Sequence, residues 1–592
     1  MKLNSVVLAS AAFAWAEAGP AQDVHKQILA PRKISKCSCP SGGFKPTTAQ
    51  QWAAASAPGW NAGNTLDAIP TEGSWNNGPL QGSTLDVVKA AGFKSVRIPG
   101  KSRVTYTNHF VGGSPDWAIN DTWLQRVSDV VDMATSRGLY VITNIHHDSW
   151  AWADVSQASS NQTLIEERFY AAWLQIGRKL ACKSALVALE PINEPPGNNA
   201  EDGAKLMRLN DLFLKALTDS GGFNSQRVVT LSGPGMSGDK VQWFKAPSNI
   251  TNPWAFQFHY YSPYDFTFGA WGKTIWGSDA DKAAVVSDLS AVRGNISADI
   301  PIIMGEFDAS QLQCEAAARW KWFDHVVRTA SSLGIVPIIW DNGVDNLDRV
   351  AGQWRDPIAV DITLNAVKGV PNSLADSTTD GSATTQTSSA YIFNKAGHNT
   401  TDQNVPFILN GNAFKSLAVG STPLKEGVDY TISGPVVTFK QSFLSGYLAA
   451  EGTPGTKANV TVAFSKGAPS QVELVQWDTP TFGWYSSAAK AVAAGTDLWI
   501  PIAWKGLHRV AAVRILENDG TFLVDDWTKW LPDLQKGRST LNSQWNSDQD
   551  RIIITRSAID AVIASGKNTT FTFEFYPRAV GNGNYVDYTL TV

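Results

Sequence analysis

The chain of 592 residues is poor in charge and in cysteine, and both shortages exclude classes of protein. Only 17% of its residues are charged and its net charge is -4, so its composition does not indicate binding to nucleic acid or to an anionic membrane surface. No apolar run beyond the N-terminus is long enough to span a bilayer. We therefore predict no nucleic-acid partner and no membrane association.

Cysteine usage gives little information about function. The four cysteines are Cys37, Cys39, Cys182 and Cys314. Their spacing matches no zinc site, and in an oxidising compartment they allow up to two disulfides in three pairings. We predict no metal and no organic cofactor.

Tryptophan, by contrast, is abundant, with 24 residues. Tryptophan presents a broad apolar face, and sugar rings expose C–H patches that stack on such faces. Hydrophobic residues make up 43% of the chain, which is typical of a protein with large buried cores. The length exceeds what one hydrophobic core supports, so several domains are expected. Nothing in the chain indicates more than a monomer.

The N-terminus has the pattern of a secretion signal. Lys2 supplies a positive start, residues 6–15 are mostly apolar, and Ala16-Glu17-Ala18 offers a small-residue cleavage site. Seven Asn-x-Ser/Thr sequons fit a glycoprotein that leaves the cell. We predict a signal peptide at 1–18, an N-terminal segment at 19–56, and a secreted, extracellular protein.

Residues 57–370 alternate short apolar runs with amphipathic stretches of helical period. Eight runs are strand candidates: 59–65, 95–99, 140–146, 186–193, 228–232, 255–260, 301–306 and 335–340. Eight strand–helix units in about 310 residues are typical of a (β/α)8 TIM barrel, an α/β fold. A doubly wound sheet would alternate in the same way, but no Gly-rich phosphate loop opens the first unit.

Beyond the barrel, short alternating runs separated by turn residues predict two small all-β sandwich domains. The first, at 380–468, contains no tryptophan, so we interpret it as a spacer. The second, at 469–592, contains seven tryptophans and is a candidate carbohydrate-binding domain. Its possible accessory sugar-binding residues are Trp477, Trp499, Trp504, Trp527 and Trp530; the alternative is that they fill the sandwich core.

Polar side chains stand where the barrel strands end, and enzymes of this fold keep their active sites at that end. Glu194 follows the fourth strand and Glu306 ends the seventh. Two carboxylates held across one sugar ring are what glycosidic bond cleavage requires, one as proton donor and one as nucleophile or base. The other strand ends carry Arg97, Asn144, His146, His147, Asn193, His259, Tyr261 and Trp340.

Six motifs follow one another at these strand ends: Gly63-Asn64-Thr65-Leu66-Asp67, Val96-Arg97-Ile98-Pro99, Asn144-Ile145-His146-His147, Asn193-Glu194-Pro195, His259-Tyr260-Tyr261 and Gly305-Glu306-Phe307. Together they resemble glycoside hydrolase family 5, and the first and third look most like the subfamily that cleaves β-1,4-glucans and often xyloglucan. The two C-terminal domains resemble an immunoglobulin-like module and a family 46 carbohydrate-binding module.

The resemblance implies a role for each catalytic group. Glu194 would be the general acid/base and Glu306 the nucleophile of a retaining double displacement. Arg97 and Tyr261 would hydrogen-bond Glu306 and keep it ionised, whereas Glu194 needs a raised pKa to donate a proton. Glu190, two strand periods before Glu194, lies too deep to reach substrate, and we assign it to a buried ion pair.

The resemblance also implies a set of contacts around the sugar. Asn193 would bond the sugar 2-hydroxyl, His146 and His259 would shape the carboxylate network, Asn64 and His147 would contact the neighbouring glucosyl unit, and Trp340 would form the floor of that subsite. The histidine pair could instead bind a metal, but no third ligand stands at a suitable spacing.

We therefore predict a secreted, retaining endo-β-1,4-glucanase acting within cellulose-type glucans or xyloglucan. A mannanase or xylanase on the same scaffold is the first alternative. The second is a non-catalytic polysaccharide-binding protein, although both glutamates are present.

Overall fold

A computed structural model describes residues 24–29, 35–100, 110–581 and 583–592 of the chain. The predicted signal peptide at 1–18 lies outside these ranges and stays a prediction. In the part of the chain that the structure describes, no helix is both long enough and apolar enough to cross a bilayer.

Eight parallel strands close into a barrel in chain order, which confirms the predicted fold. They are β1 (Gly59–Asn61), β2 (Ser95–Ile98), β3 (Tyr140–Asn144), β4 (Val187–Glu190), β5 (Val229–Leu231), β6 (Trp254–Tyr260), β7 (Ile302–Phe307) and β8 (Ile335–Ile339). Several predicted strands run past the observed ends, because residues 62–65 and 191–193 have already left the sheet. These exits form the floor of the candidate site.

The barrel strands are buried almost throughout, since helices cover their outer faces. The helices are α1 (Val24–Leu29), α2 (Ala49–Ser56), α3 (Gly82–Ala91), α4 (Asp121–Thr135), α5 (Gln162–Leu180), α6 (Ala200–Ser220), α7 (Tyr264–Thr267), α8 (Asp279–Asn295), α9 (Ala316–Ser332) and α10 (Pro357–Val367). Short 3-10 turns lie at His147–Trp150, Asn224–Gln226, Pro234–Met236, Gly238–Trp243 and Ala270–Gly272.

Helix α2 closes the N-terminal end of the barrel. Its Trp52 is buried in a cluster with Ile142, Ala188 and Ile303, which come from three different strands. Filling this end with apolar side chains leaves the opposite end, where the strands terminate, as the open one.

One disulfide ties the N-terminal segment to the barrel. Cys39 and Cys182 are bonded across 143 residues of sequence, whereas Cys37 and Cys314 are free. The sequence left the pairing open, because the number of cysteines alone does not determine it.

The second module is a sandwich of two sheets. Its strands are β11 (Leu374–Ala375), β12 (Tyr391–Lys395), β13 (Gln403–Ile408), β14 (Phe414–Val419), β15 (Thr422–Pro423), β16 (Tyr430–Ser433), β17 (Val436–Phe439), β18 (Gly455–Phe464) and β19 (Ser470–Trp477); a short hairpin, β9 (Leu347–Asp348) with β10 (Gln353–Trp354), precedes them. The sheet orders are β11-β13-β17-β16 and β12-β19-β18-β14-β15. A turn of helix, α11 (Gln441–Leu444), follows β17.

The structure corrects the predicted boundary at residue 469. Strand β19 pairs with β12 and β18 of the second module, so this module extends through Trp477. It also begins earlier than residue 380, because Leu374 pairs with Ile408. Sequence texture could not locate these limits, since strand pairing partners are distant along the chain.

The third module is a second sandwich, with sheets β20-β22-β25-β24 and β21-β27-β26-β23. Its elements are β20 (Thr481–Phe482), β21 (Ser486–Ala488), β22 (Leu498–Ala503), β23 (Val510–Glu517), β24 (Trp545–Ser547), β25 (Arg551–Ile554), α12 (Arg556–Ser565), β26 (Thr569–Phe575) and β27 (Tyr585–Thr591), with 3-10 turns at Ala489–Ala491 and Asp526–Trp530.

This module docks on the loops that follow β6 and β7. Gln313 Nε2 donates to Ala511 O at 2.8 Å, and Arg578 Nη1 donates to Thr274 Oγ1 at 3.0 Å. Arg578 is itself buried and paired with Glu574. These buried polar contacts fix the third module beside the open end of the barrel.

Candidate active site

The ends of β2, β4, β6 and β7 bring together the charged residues that the sequence singled out. His259 lies directly opposite Glu306 in the register of β6 with β7. One carboxylate oxygen of Glu194, one of Glu306 and one ring nitrogen of His259 all lie within 4.8 Å of one another. The predicted carboxylate pair is therefore a spatial pair.

Glu306 is held by two donors on opposite oxygens. Arg97 Nη1 donates to its Oε1 at 2.5 Å, and the Tyr261 hydroxyl donates to its Oε2 at 2.8 Å. Both contacts had been predicted from the family resemblance. Glu306 is only 5% exposed, so these hydrogen bonds replace most of its contact with water.

Glu194 stands at the mouth of the same pocket, with 25% of its side chain exposed. Its backbone has a φ of 38°, in the left-handed region that non-glycine residues rarely adopt. Its Oε1 lies 2.7 Å from His259 Nδ1, and its carbonyl accepts a hydrogen bond from Trp150 Nε1 at 3.1 Å. The turn directs the carboxylate toward Glu306 rather than along the strand.

The pKa values of the two carboxyl groups shift in directions opposite to those expected from the sequence. Burial raises the pKa of Glu306, although the charges of His259 and Arg97 act to lower it. Burial also acts to raise the pKa of Glu194, but its hydrogen bond with His259 and the charge of that ring outweigh burial and lower it. The physical reason is that His259 contacts Glu194 more closely than Glu306, at 2.7 against 3.5 Å.

Arg97 is the centre of the charge network. Its side chain is fully buried, and besides Glu306 it donates to Glu190, to Asn61 Oδ1 at 3.1 Å and to Asn193 Oδ1 at 2.7 Å. Glu190 is thus the buried ion-pair partner that the sequence predicted. The amide oxygen of Asn193 is engaged by Arg97, and this contact fixes the orientation of the amide expected to meet the sugar.

A flat surface lies beside the carboxylates, made by Trp340 and His146. Their rings are parallel within 3°, with centroids 6.1 Å apart. Trp340 also covers Gly63, where a Cβ would lie 2.6 Å from its Cη2, so the glycine of the first motif is required by this close approach. His146 Nδ1 lies 3.1 Å from Asn144 Nδ2, which fixes the ring.

His147 and Asn64 extend this surface away from the carboxylates. The His147 ring makes an edge contact with His146, at 4.3 Å between centroids. Asn64 has a φ of 54° and donates to Asn76 Oδ1 at 2.9 Å. Their predicted contact with the neighbouring glucosyl unit stays a prediction.

Asp67 is a third group at the histidine pair that the spacing argument missed. Its Oδ2 lies 3.7 Å from His147 Nε2, and one ligand atom each of Asp67, His146 and His147 lie within 4.8 Å of one another. Asp67 lies 79 positions before His146 (146 - 67) and 80 before His147 (147 - 67), so sequence spacing could not reveal this cluster. Asp67 Oδ1 accepts from Thr65 N at 2.6 Å and fixes the turn after β1.

On the other side of Glu194, a cavity of about 630 Å³ opens toward solvent. It is lined by the loop after β5, including Met236 and Ser237, and by Tyr264. No motif in the sequence identified this loop. Its volume is in the range of ligand-binding clefts.

A chain of aromatic rings leads from Tyr261, which contacts Glu306, to the third module. Tyr261 contacts Phe268 at 5.2 Å, Phe268 contacts Tyr264 at 5.1 Å, and Tyr264 contacts Trp271 at 6.1 Å between centroids. Trp271 then meets Trp527 edge-on at 4.9 Å. One predicted accessory tryptophan is therefore continuous with the barrel cleft.

The other predicted tryptophans are scattered rather than gathered on one face. Trp530 is 81% exposed and Trp499 is 56% exposed, the latter with Arg551 4.4 Å above its ring. Trp504 stacks on His508 at 5.6 Å, and Trp477 ends the second module with Lys395 over its ring. Trp504 is partly buried and packs against the sandwich core of the third module, whose buried tryptophan is Trp545.

The fold and the paired carboxylates define a barrel enzyme of the glycoside hydrolase class. Residues 56–346 match the model of the cellulase family, glycosyl hydrolase family 5, and residues 386–474 match carbohydrate-binding domain X2. The second match names a carbohydrate-binding domain where the sequence had indicated a spacer.

Several known proteins are similar over long stretches. Endoglucanase B of Paenibacillus lautus is 27% identical over 562 residues, covering 92% of both chains. Endoglucanase B of Clostridium cellulovorans is 31% identical over 318 residues, which are 51% of this chain and 70% of that protein. The crystal structure of a tri-modular family 5, subfamily 4 endo-β-1,4-glucanase from Bacillus licheniformis superposes with a TM-score of 0.79 at 32% identity, covering 92% of this chain and 100% of that one.

The chain belongs to glycosyl hydrolase family 5, and it is a glycoside hydrolase of the endoglucanase type. The predicted resemblance and the predicted class of enzyme are thereby confirmed. The order of modules also matches, since the Bacillus licheniformis enzyme is tri-modular and is covered completely.

Proposed function

We propose that the protein is a retaining endo-β-1,4-glucanase that cuts inside cellulose-type glucans and xyloglucan. The observation that carries the proposal is the Glu194–Glu306 pair at the mouth of an open cleft, beside the Trp340 platform. An open cleft admits the middle of a long chain, and a flat indole face suits a glucosyl ring in stacking contact.

The spacing of the two carboxylates supports the retaining mechanism. Retaining glycosidases hold their carboxyl groups about 5–5.5 Å apart, whereas inverting enzymes need about 6.5–9.5 Å to seat a water molecule. One oxygen of Glu194 and one of Glu306 lie within 4.8 Å of each other, which is closer than the spacing of inverting enzymes.

In the first step, a Glu306 oxygen attacks the anomeric carbon while the bond to the leaving oxygen breaks. Glu194 gives its proton to that oxygen, so the released chain leaves as an alcohol. In the second step, water attacks the same carbon, Glu194 takes the water's proton, and the bond to Glu306 breaks. Both steps conserve charge within the pair.

The reaction requires that the single proton of the pair be on Glu194 before attack. Two neighbours of Glu306, Arg97 and Tyr261, act only as donors, because burial and the charge of Glu306 raise the pKa of Tyr261 well above its usual value. His259 Nδ1, which faces Glu194, can donate or accept according to its tautomer. Attack therefore requires the His259 tautomer whose Nδ1 accepts the Glu194 proton, because in the free protein the pKa of Glu194 is lowered and that of Glu306 is raised, the reverse of the order that the reaction needs.

The third module would lengthen the cleft through the aromatic chain that ends at Trp527. Trp271 Nε1 donates to Asp525 Oδ2 at 2.9 Å, which holds the two modules together at this point. A branched or long glucan could then contact both modules at once. We place Trp527 and Trp530 first among the accessory residues because they are exposed on this side.

We also propose that the protein is secreted and works as a monomer. The Cys39–Cys182 bond is consistent with an oxidising compartment, and polysaccharide substrates lie outside cells. Expression of the full chain in a secretory host tests this, followed by N-terminal sequencing and light scattering of the protein in the medium. Retention in the cell with residues 1–18 intact would refute secretion, and a dimer mass would refute the monomer.

Substrate class is tested by reducing-end release from carboxymethyl cellulose, xyloglucan, mixed-linkage β-glucan, mannan and xylan. We expect activity on the β-glucans that Glu306→Gln abolishes, while Glu201→Gln, on the exposed side of α6, retains it. Activity only on mannan or xylan would replace the glucanase by the alternative on the same scaffold. No activity on any substrate would leave a polysaccharide-binding protein.

A further inference from the structure

Glu190 lies one layer below the catalytic pair and competes with the nucleophile for the same cation. Arg97 Nε donates to Glu190 Oε2 at 2.8 Å and Arg97 Nη2 donates to Oε1 at 2.7 Å. Glu306 receives one hydrogen bond from the same guanidinium, through Nη1. The buried carboxylate thus has the bidentate contact, and the nucleophile has the single one.

The surroundings of Glu190 require it to be ionised. Besides the two contacts from Arg97, Asn144 Nδ2 donates to its Oε1 at 2.7 Å and Gln257 Nε2 donates to its Oε2 at 2.7 Å. Four donors and 1% exposure make a site for a carboxylate, not for a carboxylic acid. Burial acts to raise the pKa of Glu190, but the charge and hydrogen bonds of Arg97 outweigh it and lower the pKa.

The charges at the bottom of the pocket therefore do not cancel. The formal charges are one cation, Arg97, and two carboxylates, Glu190 and Glu306, with Glu194 and His259 facing the nucleophile from above. If Arg97 served Glu306 alone, it would hold the nucleophile as a strongly stabilised, weakly reactive ion pair. The second carboxylate reduces that stabilisation.

We propose that Glu190 is a positioning residue that draws the charge of Arg97 away from Glu306 and so keeps the nucleophile reactive. It does not contact the sugar, because its side chain is buried and both of its oxygens accept hydrogen bonds from Arg97, Asn144 and Gln257. Its effect on the reaction passes entirely through Arg97. This inference rests on the proposed retaining mechanism.

The test is the pH dependence of kcat/KM on an aryl β-cellobioside, whose acidic limb reports ionisation of the nucleophile in the free enzyme. In Glu190→Gln, Glu306 is the only carboxylate paired with Arg97, so Arg97 stabilises the ionised form of Glu306 more strongly. The acidic limb should therefore move to lower pH by about 1 unit or more. The maximum kcat/KM should fall at least about tenfold, because the carboxylate is a weaker nucleophile. Binding of cellotetraose should be unchanged.

Two further variants keep the charge and separate this effect from damage to the core. Glu190→Asp should lose activity through misplacement, but its acidic limb should stay within about 0.3 units of the wild type. Gln257→Met removes one donor from Glu190, which then binds Arg97 more strongly, so the limb should move to higher pH. Circular dichroism establishes that each variant is folded.

If the acidic limb of kcat/KM does not move in either Glu190→Gln or Gln257→Met, or if it moves opposite to the expected directions, the proposed role of Glu190 is wrong. If Glu190→Gln does not fold, the direction of the Gln257→Met shift decides alone. A wild-type protein that is inactive on every β-glucan would refute the proposed function instead, so the two failures are distinguishable.

Discussion

Removal of the Tyr261 hydroxyl is the perturbation whose consequence the structure determines most sharply. This hydroxyl donates to Glu306 Oε2 at 2.8 Å, and Glu306 is only 5% exposed, so bulk water has little access to replace this hydrogen bond. A hydrogen bond to a charged group contributes about 1.5–3 kcal/mol. Because about 1.4 kcal/mol corresponds to one pKa unit, Tyr261→Phe should raise the pKa of Glu306 by about 1–2 units.

The sign follows from which form the hydrogen bond favours. The hydroxyl stabilises the carboxylate and so lowers the pKa of Glu306, against the burial that raises it. Without this hydrogen bond, less opposes the effect of burial, which raises the pKa of Glu306. Glu306 then stays protonated up to a higher pH. The acidic limb of kcat/KM should therefore move to higher pH, opposite to the shift expected for Glu190→Gln.

The assay is a pH series of initial rates on an aryl β-cellobioside with wild type, Tyr261→Phe and Tyr264→Phe. Tyr264 lies in the same loop, is 55% exposed and makes ring contacts with Phe268 and Trp271, so it is a matched control for loss of a phenol. A limb that stays in place in Tyr261→Phe, or that moves to lower pH, would refute the reasoning.

Two other predictions concern the remaining modules and the disulfide. Trp530→Ala should change the free energy of unfolding by less than about 0.5 kcal/mol, since the side chain is 81% exposed, yet weaken retention on an insoluble glucan; Trp545→Ala, in the core at 1% exposure, should cost about 3–5 kcal/mol. Equal destabilisation by the two would contradict an exposed platform. Cys39→Ser should lower stability by about 2–4 kcal/mol by opening a bond across 143 residues, without moving the pH profile; a shifted profile would show that the bond reaches the site.

The barrel could be predicted from the sequence because its strands are buried on both faces and several polar residues stand at or just after strand ends. The predicted strand 301–306 and the observed Ile302–Phe307 differ by one residue at each end, and both include Glu306 in their last two residues. Motif order then identified the contacts of Arg97 and Tyr261 with that glutamate. The family resemblance implied these contacts, which join side chains of β2, of the turn after β6 and of β7.

Other features depend on partners that are far apart along the chain. The 3.7 Å contact between Asp67 and His147 joins the turns after β1 and β3, and the pairing of Trp271 with Trp527 joins the first and third modules. The closer approach of His259 to Glu194 decided the pKa order, and a difference of 0.8 Å (3.5 - 2.7) is not encoded in any motif. Pairing of β19 with β12 likewise set the module boundary.

We propose that Glu306 forms a covalent bond to the sugar. Incubation with 2,4-dinitrophenyl 2-deoxy-2-fluoro-β-cellobioside, followed by digestion and mass spectrometry, tests it directly, because the fluorine slows the second step and the intermediate accumulates. We expect one label per chain, on the peptide containing Glu306, and none in Glu306→Gln. A label on a different residue, or an unlabelled enzyme that releases product of inverted configuration, would contradict it.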